Sequence, residues 1–171
     1  MTLKEAITLA LDFERKVRDH YFRFAKAIQD PQGRRVMEML GAEEQGHVDY
    51  LEFCQREWVK SGKVPNIPLK SVLPKGKKWI GEAQKKLQAR PGKRTAAADE
   101  IEALRMALQY EKDADGFYRK FVAELPGSDR EMFTKFLEIE DGHLELVQAQ
   151  LDSVQGSGFW FDTMEFRLEA E

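Results

Sequence analysis

At 171 residues, with a third of them charged and a formal net charge of −3, the chain has the make-up of one globular domain able to bury a single core. One cysteine, Cys54, excludes an internal disulfide and any four-cysteine metal module. No apolar run approaches the roughly eighteen residues of a membrane-spanning helix, and no signal-peptide pattern opens the chain, so a cytoplasmic protein away from membranes is expected.

Leu3, Ile7, Ala10, Glu14, Val17, Tyr21, Phe24 and Ile28 recur in alternating steps of four and three. That spacing predicts a first helix with one inward stripe. Thr2-x-x-Glu5 starts it as a capping box, and Asp30-Pro31 closes it and opens the next. Glu14 stands in the middle of the stripe, where burying a carboxylate is costly unless something compensates. The second helix carries Met37, Leu40, Glu44, His47, Leu51, Cys54 and Trp58 inward and stops at Ser61-Gly62.

Residues 62–94 differ in character, holding four of the six prolines. They read as a long crossover, with a short amphipathic helix around Trp79 to Leu87. The third helix starts near Thr95 or Asp99, runs to Leu125, and turns Leu104, Ala107, Glu111, Ala114, Tyr118, Phe121 and Leu125 inward. Pro126-Gly127 breaks it, and Ser128-x-x-Glu131 predicts a second capping box. The fourth helix presents Phe133, Phe136, Glu140, His143, Val147 and Val154 and ends at residues 156–158. The tail to residue 171 is rich in aromatic residues and is expected to pack on the bundle or on a partner chain.

Within these helices lies a repeat. Glu14, Tyr21 and Phe24 match Glu111, Tyr118 and Phe121 at an offset of 97, and Glu44 and His47 match Glu140 and His143 at an offset of 96. In each Glu-x-x-His the two side chains leave one helix face, a turn apart. Two such hairpins packed about a pseudo-twofold axis bring four carboxylates and two imidazoles together. Four carboxylate charges balance two divalent cations, and carboxylate with neutral imidazole suits iron. Glu14, Glu44, His47, Glu111, Glu140 and His143 are therefore the expected metal ligands. Gly46 and Gly142 precede the two histidines, and close approach of a neighbouring group is expected to compensate their low helix propensity. His20 lies off the ligand face and reads as a surface histidine.

Over residues 1–155 the chain resembles the ferritin-like superfamily, and within it the rubrerythrin-type di-iron proteins. Phe13-Glu14, Glu44-x-x-His47, Glu111 with Tyr118, and Glu140-x-x-His143 carry the resemblance. It implies an all-α, antiparallel four-helix bundle with the crossover between helices 2 and 3, two non-haem iron ions, and reaction with hydrogen peroxide or dioxygen. Tyr21 and Tyr118 would bond ligand carboxylates across the site. The chain departs from the family pattern in three ways. It lacks the rubredoxin module, so electrons would come from an external donor protein. Ala114 holds the place of an extra Glu, with Asp115 pointing about 100° away. Gln45 replaces a haem-binding Met found beside the second-helix Glu in bacterioferritins, so no haem is expected.

Nine of residues 70–94 are Lys or Arg against one acid, Glu82. This basic segment reads as a solvated crossover or a docking face for an acidic electron donor; nucleic acid is not an expected partner. The function expected is reduction of peroxide or oxidation of ferrous iron, in oxidative-stress defence or iron homeostasis. A ferritin-like hydroxylase and a non-catalytic iron store are the alternatives. A homodimer is expected, and the crossover is long enough to allow exchange of hairpins between chains.

Overall fold

The computed structural model describes residues 1–168. Among them the chain is all helical, without a strand: α1 (Leu3–Ala27), α2 (Pro31–Ser61), α3 (Lys78–Gln88), α4 (Ala98–Glu124) and α5 (Gly127–Ser157), followed by a 3-10 turn at Met164–Phe166. None of these helices is long and apolar enough to cross a membrane.

Local chemistry sets the helix ends. Thr2 accepts the Glu5 N–H at 3.3 Å while Glu5 accepts the Thr2 N–H at 2.8 Å, the reciprocal pair expected for α1. Asp30 caps α2 by accepting the Gly33 N–H at 2.8 Å, and Pro31 occupies the first turn, where its missing N–H costs nothing. The second predicted box does not form. Pro126 is the N-cap of α5, and its carbonyl accepts the N–H groups of Asp129 and Arg130, so Ser128 falls inside the first turn instead of before it.

Residues 28–30 and 125–126 are short connections, so α1 and α2 fold back on each other as one hairpin and α4 and α5 as another. The hairpins meet through α1 and α4, and α3 lies on α5. The core is in two parts. One cluster takes residues 6–11 of α1, 48–54 of α2, 118–121 of α4 and 132–136 of α5. The other takes residues 17–25, 36–40, 103–108 and 146–154 of the same four helices. Glu14, Glu44, His47, Glu111, Glu140 and His143 occupy the layer between the two.

The crossover and tail are pinned at one end. Arg94 donates its N–H to Ser157 and its guanidinium to Gly158 and to both oxygens of Glu100, a carboxylate 1 % exposed. Gly158 is in the left-handed region (φ 81°), and a Cβ there would lie 1.6 Å from the Arg94 carbonyl oxygen, so no other residue fits. Beyond it Trp160 and Phe161 are buried in the second cluster. The Gln150 amide holds the Phe161 backbone from both sides, at 2.9 and 3.1 Å. Gly33 is required by the same packing, because the Trp160 ring sits 2.5 Å from where its Cβ would be. Residues 169–171 of the predicted tail lie outside the described residues.

Candidate metal centre

Each long helix sends one carboxylate into the middle layer: Glu14 from α1, Glu44 from α2, Glu111 from α4 and Glu140 from α5. His47 and His143 follow one turn after Glu44 and Glu140. None of the six is more than 1 % exposed. One donor atom each from Glu14, Glu44, His47 and Glu140 lie within 4.8 Å of one another, and the same holds for Glu44, Glu111, Glu140 and His143. Each group could hold a metal ion. Glu44 and Glu140 belong to both, so the groups share two carboxylates.

The histidines both turn Nδ1 toward the carboxylates. His47 Nδ1 lies 2.9 Å from Glu44, 3.0 Å from Glu140 and 3.3 Å from Glu14. His143 Nδ1 lies 2.9 Å from Glu44 and 3.6 Å from Glu140. The rings stack nearly parallel, 7° apart with centroids 5.6 Å apart. Behind the carboxylates stand the tyrosines. Tyr21 of α1 donates to Glu111 of α4, and Tyr118 of α4 donates to Glu14 of α1. This reciprocal crossing is what two copies of one device about a twofold axis produce. Burial and then the facing carboxylate push both phenols well above their ordinary range, so they remain donors.

Protons redistribute across so many buried charges. Burial, then Glu140 and Glu44, raises Glu14 well above the usual carboxylate range. Burial also raises Glu111, partly offset by His143. Burial acts in the same sense on Glu44, but His47 and His143 outweigh it and hold Glu44 well below that range. For both histidines burial favours the neutral ring and is outweighed by Glu44, so both are pushed well above the ordinary imidazole value. Burial thus favours a proton on Glu14 and Glu111, and the carboxylates favour one on each ring.

Hydrogen bonding leaves a remainder that protons do not satisfy. Both oxygens of Glu44, one oxygen each of Glu111 and Glu140, and His143 Nδ1 are buried without a hydrogen-bond partner among the described residues. His143 Nδ1 is close to Glu44 but not aligned for a hydrogen bond. Buried polar atoms are seldom left unpaired, and a cation between them is the partner that satisfies acceptors converging on one point. The residues present fit a pair of divalent ions.

One functional neighbour escaped the sequence reading. Glu43, 8 % exposed, accepts from the Ser71 hydroxyl and from the Val72 N–H at 2.9 Å, and lies 3.4 Å from His143 Nε2. Burial opposes its charge, but the bond to His143 and the Ser71 and Val72 donors outweigh burial and lower it. Glu43 stands 100° round the helix from Glu44 and becomes buried because the crossover covers it. The steps of four, three and four through Val36, Leu40, Glu43 and His47 were the signal that could have found it.

The expectation for the two glycines needs correction. A Cβ on Gly46 or Gly142 would meet nothing within 4 Å, so no close neighbour compensates either glycine. Both lie a third of a turn from an inward histidine and so face away from the packed layer. His20 lies off the ligand face and partly exposed, bonding the Tyr110 hydroxyl and stacking on that ring with centroids 4.1 Å apart where α1 meets α4. Asp115 pairs with Arg119 at 2.8 Å and belongs to neither carboxylate group. Gln45 accepts from Arg18 at 3.0 Å and donates to Asp49 at 2.8 Å, on the outside of α2.

Comparison of the chain with family models, curated proteins and solved structures returns no match.

Proposed function

We propose that the protein is a ferritin-like di-iron oxidoreductase, an antiparallel four-helix bundle of rubrerythrin type without the cysteine module, that reduces hydrogen peroxide or oxidises ferrous iron. One observation carries this reading: two buried donor groups of three carboxylates and one imidazole each, overlapping in Glu44 and Glu140. Such a set suits iron in both oxidation states, and a bound iron pair would supply the electrons that reduce the oxidant.

The chain's own contribution is geometry, charge and access. Glu14 and His47 would hold one ion, Glu111 and His143 the other, and Glu44 and Glu140 would serve both. Tyr21 and Tyr118 keep Glu111 and Glu14 in place from behind. The two apolar clusters exclude bulk water from both ends of the layer. A cleft of about 540 Å³ reaches the layer from one side, with His143, Gly142, Ile139, Ser71 and Trp79 among its lining, and it offers a small oxidant its approach. Electrons come from another protein on this reading, since the lone thiol, Cys54, is buried and pushed up by burial. The basic crossover is the face proposed for an acidic donor, although Lys77 and Lys86 already pair with Glu145 and Glu165.

Hydrogen peroxide is expected to be the faster oxidant. The inward stripes beside the site are apolar, which suits a small neutral oxidant, while Glu138, Asp141 and Glu145 in the lining of the cleft would favour the entry of ferrous iron. Anaerobic protein loaded with two equivalents of ferrous iron, mixed in stopped flow with equal concentrations of peroxide or dioxygen, tests this. Dioxygen reacting as fast or faster favours ferrous oxidation, and failure to bind two ions removes the di-iron reading altogether. The cleft also favours a second reading, a hydroxylase, since its size falls in the range of small-molecule sites. That reading requires dioxygen uptake to be stimulated by an apolar compound that binds there. A homodimer is proposed for the intact protein, and a monomer by light scattering at micromolar concentration would exclude it.

A further inference from the structure

We propose that the two metal positions are unequal, and that the one formed with Glu111 and His143 binds its ion first and more tightly, because Glu43 anchors His143 while His47 has no counterpart. This rests on the two-metal reading above and concerns how the chain distinguishes its two sites. The four matched pairs that form the site are each of one residue type: Glu14 and Glu111, Tyr21 and Tyr118, Glu44 and Glu140, His47 and His143. Even the tyrosine-to-carboxylate bonds are reciprocal.

The symmetry fails one atom further out. His143 Nε2 faces Glu43 Oε2 at 3.4 Å. A carboxylate there accepts a hydrogen bond from Nε2–H, keeps the Nδ1 lone pair on the metal side and makes the ring a stronger ligand. His47 Nε2 is also buried, yet has no hydrogen-bond partner among the described residues. The edge-on Phe136 ring, with centroids 5.3 Å apart, is an aromatic neighbour of His47. At the offset of 96 that relates the two Glu-x-x-His pairs, the equivalent of Glu43 is Ile139. An isoleucine side chain accepts no hydrogen bond. When His47 binds a metal through Nδ1, its Nε2–H is left buried and unpaired, which penalises that site alone.

The crossover explains why only one half has this support. Glu43 is held by Ser71 Oγ–H and the Val72 N–H, both crossover groups. A chain with two hairpins has one connection between them, so it covers one side of the twofold axis and cannot cover the other.

The test is titration of the metal-free full chain with Co²⁺, whose d–d absorption follows each ion as it binds. Two steps alone would not decide the matter, because two cations sharing Glu44 and Glu140 would separate by repulsion in a symmetric site too. The variants decide it. His47→Ala should retain the tight step within about threefold, and His143→Ala should lose it. Glu43→Gln should weaken the tight step by about 10–100-fold and leave the weak one within about threefold, with the absorption of the first ion alone altered. Ser71→Ala, which lies outside the site, should act in the same direction and by less. Equal losses in the two histidine variants overturn the proposal, as does Glu43→Gln shifting both steps equally or neither. Two ions bound without this order leave the di-iron reading intact, whereas fewer than two ions remove both.

Discussion

The α1–α2 hairpin and the α4–α5 hairpin each bring a Glu, a Tyr seven residues later and a Glu-x-x-His to the same layer, and the tyrosines cross to bond each other's carboxylates. The surroundings of the two copies differ. Tyr118 stacks on Phe136 with centroids 5.1 Å apart and meets Phe117, Phe121 and Phe133 as well, within one apolar cluster. Tyr21 belongs to the other cluster, among aliphatic residues and the buried tail. His143 has a carboxylate behind it and His47 does not. The comparison teaches that ligand identity repeats with the helices, whereas ligand support depends on connections that occur once.

The largest effect should come from removing both imidazoles. At metal about a hundredfold above its dissociation constant, each site stabilises the fold by about 2.7 kcal/mol. His47→Ala combined with His143→Ala should abolish most of the metal-induced rise in Tm, while the metal-free protein stays folded by circular dichroism. An undiminished rise in the double variant would show that these rings do not bind the ions.

pH probes what the two halves share. Glu14 and Glu111 titrate above their ordinary value of 4.5 and the histidines above 6.5 in the metal-free fold. The folded state therefore holds more protons than the unfolded one as pH rises past those values, and stability falls through the raised folded values. Glu44 acts in the opposite sense, losing its contribution only as pH falls below 4.5 through its depressed value. The Tm of metal-free protein should accordingly fall as pH rises above the ordinary imidazole value of 6.5, and the metal-induced increment should grow over the same range, because binding displaces protons. A metal-free Tm that climbs across this range would contradict the assignment.

The smallest effect should be the most symmetric. Tyr21→Phe and Tyr118→Phe each remove one donor from a buried carboxylate, at a cost of about 1–3 kcal/mol to the metal-free fold. Urea unfolding should give similar losses for the two, since the bonds are equivalent. A large disparity would place the difference between the halves in their aromatic and aliphatic surroundings rather than behind the histidines.

Much of this was legible in the sequence because helical periodicity is a local property. The four-and-three spacing put Glu14, Glu44, His47, Glu111, Glu140 and His143 on inward stripes, and in the structure all six are buried. The repeat paired them, and the length of residues 62–94 marked a crossover. Features that depend on what lies opposite a helix were not legible. Ser128 looked like a cap and is not, since Pro126 starts the helix earlier. Gly46 and Gly142 looked crowded and face open space. Glu43 drew no notice in the sequence, and it is Ser71 and Val72 of the crossover that hold its carboxylate behind His143. The residue types of the middle layer and the helices that carry them were thus determined by spacing along the chain. Which histidine is supported, and so how the two halves differ, was decided by the tertiary structure, because the path of the crossover over α2 is set by packing between elements and leaves no period in the sequence.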